Sequence, residues 1–201
     1  MMSLLGIFDF DIYADSNKLA KANGIIVVAN HPTLIDVVVL LSMLPNADCI
    51  VKQSLFRNPF LKGVVSAAGY IQNKLDVKAL IHSCDLSLKS GNTLIIFPEG
   101  TRTEKNGRIK LLRGAFNIAL RCECDLLPVI INCNPSTLTK SERWYEIPKY
   151  KAQFSIRVGE LVESRRFRRR EINFAISARR LTKHLEEYFI KEQVKTCNNL
   201  N

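Results

Sequence analysis

The sequence predicts an α/β fold, a mixed and mostly parallel sheet covered by helices, and three observations carry that prediction. Short β-branched and apolar runs alternate with segments of helical period along most of the chain. Two of these runs, Ile25 to Ala29 and Thr93 to Phe97, stop abruptly at polar loops that contain Pro32, Pro98 and Gly100. At 201 residues and 47% hydrophobic content the chain can bury a core, and it reads as a single domain over residues 1–201 without internal repeats or low-complexity tracts.

The elements follow in order. Phe8 to Tyr13 reads as a strand and Asp15 to Asn23 as a polar connector. Gly24-Ile25-Ile26-Val27-Val28-Ala29 is the pattern of a buried strand. Pro32 is favoured as a first helical residue, so a helix is expected from Pro32 to Leu44, capped by Asn30 or His31. A short strand, Cys49 to Lys52, and a helix, Phe60 to Ala67, come next. From Val77 to Lys89 the apolar positions Val77, Leu80, Ile81, Cys84 and Leu88 keep helical spacing, and Gly91 closes the helix. The strand Thr93 to Phe97, a helix from Arg113 to Arg121 and a strand from Leu126 to Asn132 complete the alternation. Asn134 to Thr137 is loop chemistry, Trp144 to Pro148 an aromatic loop, and Phe154 to Gly159 alternates like an edge strand. The last helix is expected over about Glu171 to Glu192, with Ile172, Ala175, Ile176, Leu181, Leu185, Tyr188 and Phe189 as packing positions, and the tail from Thr196 is expected to fray.

Chemistry concentrates in two motifs, Asn30-His31-Pro32-Thr33-Leu34-Ile35-Asp36 and Phe97-Pro98-Glu99-Gly100-Thr101-Arg102. Each follows a strand, and the carboxyl ends of strands are where open α/β sheets bind ligands. In a continuous helix His31 and Asp36 would diverge by about 140°. A break at the helix start is therefore required if Asp36 is to bond the imidazole, fix its tautomer and leave the other ring nitrogen free as a base. In the second motif Arg102 offers a planar fork for a phosphate, Thr101 a hydroxyl and Gly100 a close backbone approach. The plainer reading makes Pro98 and Gly100 a turn, with Arg102 pairing with Glu99 on the surface.

These two motifs, in this order and spacing, resemble those of the bacterial 1-acylglycerol-3-phosphate acyltransferase (PlsC-like) family. Ala68-Gly69-Tyr70-Ile71 looks like its second block, Arg113-Gly114-Ala115 resembles its basic-Gly-Ala segment, and Leu127-Pro128-Val129-Ile130 is similar to its fourth. The resemblance covers roughly residues 24–160 and implies a glycerolipid acyltransferase-like fold. It implies that His31 deprotonates a lipid hydroxyl, that Asp36 orients His31, and that the hydroxyl attacks an acyl thioester of coenzyme A or acyl carrier protein. Glu99, Gly100, Thr101 and Arg102 would hold a glycerophosphate, with Arg113 beside them. The second block departs from the family, because Gln72-Asn73-Lys74-Leu75-Asp76 stands where a carboxylate and an arginine are usual. Lys74 can supply a phosphate contact there as a point charge. The implied acceptor is a lysophospholipid, 1-acyl-sn-glycerol-3-phosphate by default, with other lysolipids or specialised lipids left open. No metal or further cofactor is called for, since a thioester is already activated, and backbone amides at the first helix start are candidates for holding the oxyanion. Val37 to Leu41 read either as acyl-groove lining or as helix core.

The remaining clue is charge: 29 Lys and Arg against 19 Asp and Glu give +10. Arg165-Arg166-Phe167-Arg168-Arg169-Arg170 lies in a basic C-terminal segment of about 164–195 and suits an anionic membrane surface, coenzyme A phosphates or an acidic carrier protein, with Phe167 dipping into a bilayer interface. It also reads as a solvated face, and with no nucleic-acid fold motif in the chain a nucleic-acid partner is not expected. A non-catalytic lipid- or nucleic-acid-binding protein is the alternative in which that surface is the function. No segment is apolar enough to span a bilayer, and Met1 to Phe10 does not resemble a signal peptide, so the expected location is cytoplasmic, peripheral on the cytoplasmic face of the membrane. The cysteines at 49, 84, 122, 124, 133 and 197 fit neither a zinc spacing nor a disulfide framework and read as buried reduced thiols. His82 and His184 read as structural or solvated.

Overall fold

The computed structural model describes residues 8–11, 16–52, 71–73, 76–103, 109–139, 142, 150–168 and 172–198. The expected helix at Phe60 to Ala67, the aromatic loop at Trp144 to Pro148 and Lys74 lie outside these. The strands are β1 (Phe8–Asp11), β2 (Ile26–Ala29), β3 (Ala47–Lys52), β4 (Ile71–Asn73), β5 (Thr93–Ile96), β6 (Leu126–Asn134) and β7 (Ala152–Val158). The helices are α1 (Ser16–Ala20), α2 (Asp36–Met43), α3 (Val77–Lys89), α4 (Gly114–Arg121) and α5 (Phe174–Asn198), with a 3-10 turn at Ser164–Phe167.

Among the described residues the strands form one sheet in the order β1-β7-β6-β2-β5-β3-β4. Every pairing is parallel except β6 with β7, which is antiparallel. The central strands β2 and β5 are buried at all four positions, as parallel strands covered on both faces must be. Alternate residues of β2 therefore serve different cores. Val27 and Ala29 pack with Leu19 of α1 and Val39 and Leu40 of α2, whereas Ile26 and Val28 pack with Leu88 of α3, Phe116 of α4 and Leu181, Leu185 and Phe189 of α5. The result is a helix-sheet-helix sandwich with its polar loops at the strand ends.

Several expectations shift in the structure. The connector after β1 contains the short helix α1, which five residues are too few to announce by periodicity but which the fully buried Leu19 anchors. Strand β7 is not an edge strand, because β1 pairs on its outer side and β6 on its inner. Its alternation records one covered face, built from Ala152, Phe154, Ile156 and Val158, and not its place in the sheet. Strand β6 runs on to Asn134 because β7 pairs with it that far. The last helix starts later than expected, at Phe174, and continues through Asn198, past the residue where fraying was expected.

Helix α5 closes against the sheet at Gly159, where β7 ends. A Cβ at this glycine would stand 2.2 Å from Tyr188 Oη and 2.9 Å from Pro128 Cγ, while its own N–H donates to the Pro128 carbonyl at 2.8 Å. Only a residue without a side chain lets helix and strand meet so closely. Gly159→Ala is expected to lower stability by about 1–3 kcal/mol, read from urea unfolding followed by far-UV circular dichroism.

Candidate active site

The site forms where β2 and β5 end. Helix α2 begins at Asp36 and not at Pro32, because Thr33 to Asp36 forms a capping turn of its own. Asp36 Oδ2 accepts the Thr33 backbone N–H at 2.8 Å, Thr33 Oγ1 donates to Asp36 Oδ1 at 2.5 Å, and the Ile35 N–H reaches Thr33 Oγ1 at 3.3 Å. That turn is the break the two motif residues needed. It swings Asp36 back so that Oδ2 lies 2.8 Å from His31 Nδ1. His31 stacks on Phe97 with ring centroids 4.3 Å apart. The imidazole keeps 18% of its side-chain surface exposed and Asp36 keeps none, so a ligand can reach the histidine and not its partner.

Protonation follows from this geometry. Burial raises the Asp36 carboxyl above its ordinary value, and the bonds from His31 and Thr33 pull against that rise. Both carboxylate oxygens already face donors, which favours the ionised form and puts the shared proton on Nδ1. Nε2 is then an acceptor, and among the described residues nothing occupies it.

Strand ends leave backbone groups without ladder partners, and here side chains supply them. The Asn30 carboxamide bonds β6 reciprocally, donating to the Ile131 carbonyl at 2.8 Å and accepting the Ile131 N–H at 2.7 Å. On the other side the loop after β5 holds His31 twice. The His31 N–H donates to Glu99 Oε1 at 2.9 Å, and the His31 carbonyl accepts the Thr103 N–H at 2.7 Å. Thr103 Oγ1 also donates to Glu99 Oε1, at 2.8 Å. Burial raises the Glu99 carboxyl, opposed by these same donors.

The rest of the second motif is more open. Gly100, at φ +69°, and Thr101 are exposed, and the Leu112 side chain lies over Gly100, its Cδ1 2.8 Å from where a Cβ would stand. Arg102 does not pair with Glu99. Its Nη1 donates to the carbonyls of Leu138 and Thr139 at 2.9 and 2.8 Å. The Leu138 carbonyl also accepts the Leu34 N–H at 3.2 Å, so one loop touches both motifs. Leu138 holds φ +53°, an unusual conformation for a bulky residue, and that turn points its carbonyl at both donors. The Leu112 N–H donates to the Pro98 carbonyl at 2.7 Å, which brings the exposed Arg113, at the start of α4, next to this loop. Lys74 lies outside the described residues.

Two further expectations change. The N–H groups of Thr33, Leu34 and Ile35 are all taken by protein acceptors, so they are not free for an oxyanion. Val39 and Leu40 are core, Val37 and Leu41 pack partly against it, and Val38 faces out, 66% exposed. Leu34, 46% exposed, joins Val38 in an apolar surface next to His31.

Arg169 and Arg170 of the basic run lie outside the described residues, and its described members do not gather here. Arg165 and Arg166 pair with Glu163, Arg168 pairs with Glu123, and Phe167 packs beside His184 with ring centroids 5.3 Å apart instead of standing free for an interface. Val162, just before the run, bridges Leu126 at the first residue of β6, the sheet edge opposite His31. Cys49, Cys84, Cys122, Cys124 and Cys133 carry free thiols, with burial pushing those of Cys49, Cys84 and Cys124 up to about 12 and those of Cys122 and Cys133 up to about 11. Among the described residues no group of three or more His, Cys, Asp or Glu could hold a metal ion.

The structure brings the sequence-named His31, Asp36 and Glu99 together and ties Arg102 to the neighbouring loop, while Asn30, Thr33, Thr103 and the Leu138 loop, which support them, were not named in that role. Thr33-x-x-Asp36 carried a readable signal, the capping spacing, whereas Asn30, Thr103 and Leu138 act through pairings more than 35 residues away in the chain.

A buried carboxylate behind a reachable histidine, at the carboxyl edge of a mostly parallel sheet, is an arrangement able to activate a hydroxyl or a water. A family model described as Acyltransferase matches residues 12–132, more than half of the chain, and the chain belongs to that family. It is 29% identical over 112 residues to a 1-acyl-sn-glycerol-3-phosphate acyltransferase of Helicobacter pylori, covering 53% of this chain and 47% of that protein. It is 27% identical over 135 residues to a chloroplastic counterpart of Brassica napus, covering 65% of this chain and 39% of that one. The chain thus spans less than half the length of these relatives. The crystal structure of the 1-acyl-sn-glycerophosphate acyltransferase PlsC from Thermotoga maritima superposes with a TM-score of 0.71 at 25% identity, over 94% of this chain and 73% of that one.

Two outcomes follow from the buried Asp36 and the half-buried Glu99. Asp36→Asn, which keeps an acceptor for Thr33 but reverses the polarity facing Nδ1, is expected to lower kcat about 10²–10⁴-fold while circular dichroism stays unchanged. Because Glu99 is raised in the folded state, the folded protein binds this proton more tightly than the unfolded chain. The stability it contributes is present below its unfolded value and lost as pH rises through the folded one. Glu99→Gln is therefore expected to lose less stability than the parent between pH 4.5 and 7 in urea titrations.

Proposed function

We propose that this chain is an O-acyltransferase that moves a fatty acyl group from acyl-CoA or acyl carrier protein to the free hydroxyl of a lysophospholipid, in the first place 1-acyl-sn-glycerol-3-phosphate, giving phosphatidic acid. The observation that carries the reading is the 2.8 Å contact between His31 Nδ1 and the buried Asp36, with Nε2 left open. Nε2 takes the proton of the acceptor hydroxyl as its oxygen attacks the thioester carbonyl. The tetrahedral intermediate collapses, the C–S bond breaks, and the imidazolium returns the proton to the departing thiolate. Asp36 holds the tautomer at the start and faces the imidazolium once it forms.

The acceptor's phosphate is assigned to the open second-motif loop. Gly100 and Thr101 offer backbone and hydroxyl, the Arg102 guanidinium keeps donors beyond Nη1, and Arg113 stands alongside. The exposed Leu34 and Val38 supply an apolar approach for acyl chains or a bilayer. Among the described residues no helix is long and apolar enough to cross a membrane, and the working location is assigned to the cytoplasmic face, peripheral to the bilayer.

The test is thiol release from a long-chain acyl-CoA with and without 1-acyl-sn-glycerol-3-phosphate. Release that depends on the acceptor and falls at least about 10²-fold in His31→Ala is the expected result. Release without acceptor dependence, or a His31→Ala variant as active as the parent, counts against it.

A further inference from the structure

We propose that Glu186, in the C-terminal helix, is a positioning residue for the acceptor's phosphate loop. The proposal rests on the acyltransferase reading above. Helix α5 lies wholly beyond residues 12–132, the part of the chain that the family model matches. Yet one of its carboxylates reaches the site. Glu186 Oε2 accepts the Leu111 backbone N–H at 2.8 Å, across 75 residues of sequence.

What Leu111 does next gives that bond its consequence. Ile109 and Leu111 are buried in the core that α5 helps to build, with Leu181 and Leu185. The following N–H, that of Leu112, donates to the Pro98 carbonyl inside the second motif at 2.7 Å. The Leu112 side chain then roofs Gly100, and Arg113 opens α4. Two successive amides are thus held by different elements, Leu111 by the helix and Leu112 by the motif loop. This segment is therefore clamped between α5 and the loop carrying Glu99 to Arg102. Apolar packing alone fixes depth but leaves sliding along the strand direction cheap. A directional bond to a carboxylate fixes the register, and with it the height of Leu112 above Gly100 and the place of Arg113. Glu186 touches no substrate in this account and acts through Leu111 and Leu112.

The experiment compares Glu186→Ala and Glu186→Gln with the parent, well below each protein's unfolding temperature. Gln keeps a side-chain acceptor for the Leu111 N–H, whereas Ala removes it. Steady-state kinetics with acyl-CoA and 1-acyl-sn-glycerol-3-phosphate should show KM for the acceptor raised about 5–10-fold in Glu186→Ala, KM for the donor and kcat within about 2-fold, and recovery in Glu186→Gln. Hydrogen exchange should rise in the peptides covering 97–103 and 109–113 of Glu186→Ala and stay at the parent's level elsewhere. A variant that merely unfolds more easily, with both KM values unchanged and exchange raised throughout α5, overturns the proposal. If the parent transfers no acyl group to this acceptor, the acyltransferase reading fails on that arm, and exchange at 97–103 and 109–113 decides the positioning role by itself.

Discussion

The site depends on the way the loop after β5 grips the backbone of His31. The residue stands just past the end of β2, whose ladder with β5 covers Ile26 to Val28, so its N–H and carbonyl have no strand to bond. Glu99 Oε1 takes the first and the Thr103 amide supplies the second. On the far side Asn30 imitates a further pair of ladder bonds to β6 with its carboxamide. Side chains thus extend the sheet by one residue pair on each flank, and the imidazole inherits the rigidity of the strand core. Losing either flank would leave buried polar groups unpaired, which is costlier than the bonds themselves are favourable.

The buried Asp36 and the half-buried Glu99 do different work. Asp36 meets the imidazole and the Thr33 turn, so its position decides which ring nitrogen carries the proton. Glu99 meets the backbone of His31 and the hydroxyl of Thr103, so it decides where the ring is hung. Burial raises both, and donors oppose the rise at each. Neither is bonded to Arg102, whose Nη1 braces the Leu138 loop that also receives Leu34. Three loops, after β2, β5 and β6, are therefore tied to one another by hydrogen bonds that run between motifs.

What could be read from the sequence divides along physical lines. The alternation of strands and helices was legible because β2, β5 and α3 carry strong periodic signals. The need for a break between His31 and Asp36 was legible from helix geometry, but its place was not. Pro32 advertised a helix start, while Thr33 and Asp36 together made a stronger one. The sheet position of β7 was illegible, since alternation reports which face is covered and says nothing of neighbours. Helix α1 was too short to show a period, and Glu186 sits among helix-surface charges until its partner 75 residues away is known.

The described arginines of the basic run are paired locally. Arg165 and Arg166 share Glu163, and Arg168 turns to Glu123, so the local field of the run is partly cancelled where it stands. The described part of the run also follows Val162, which bridges the first residue of β6, whereas His31 stands two residues past the end of β2 in the same parallel set. At about 3.3 Å per residue, the five steps from Ile26 to His31 separate these edges by roughly 16 Å, beyond a Debye length of about 8 Å in physiological salt. The surface that does adjoin His31 is apolar, from Leu34 and Val38, with Arg113 and the guanidinium of Arg102 serving the second-motif loop. On the proposed reading, apolar contact beside a loop assigned to phosphate would suit a single-chain lipid entering end on, its tail along the rim and its head group at the loop.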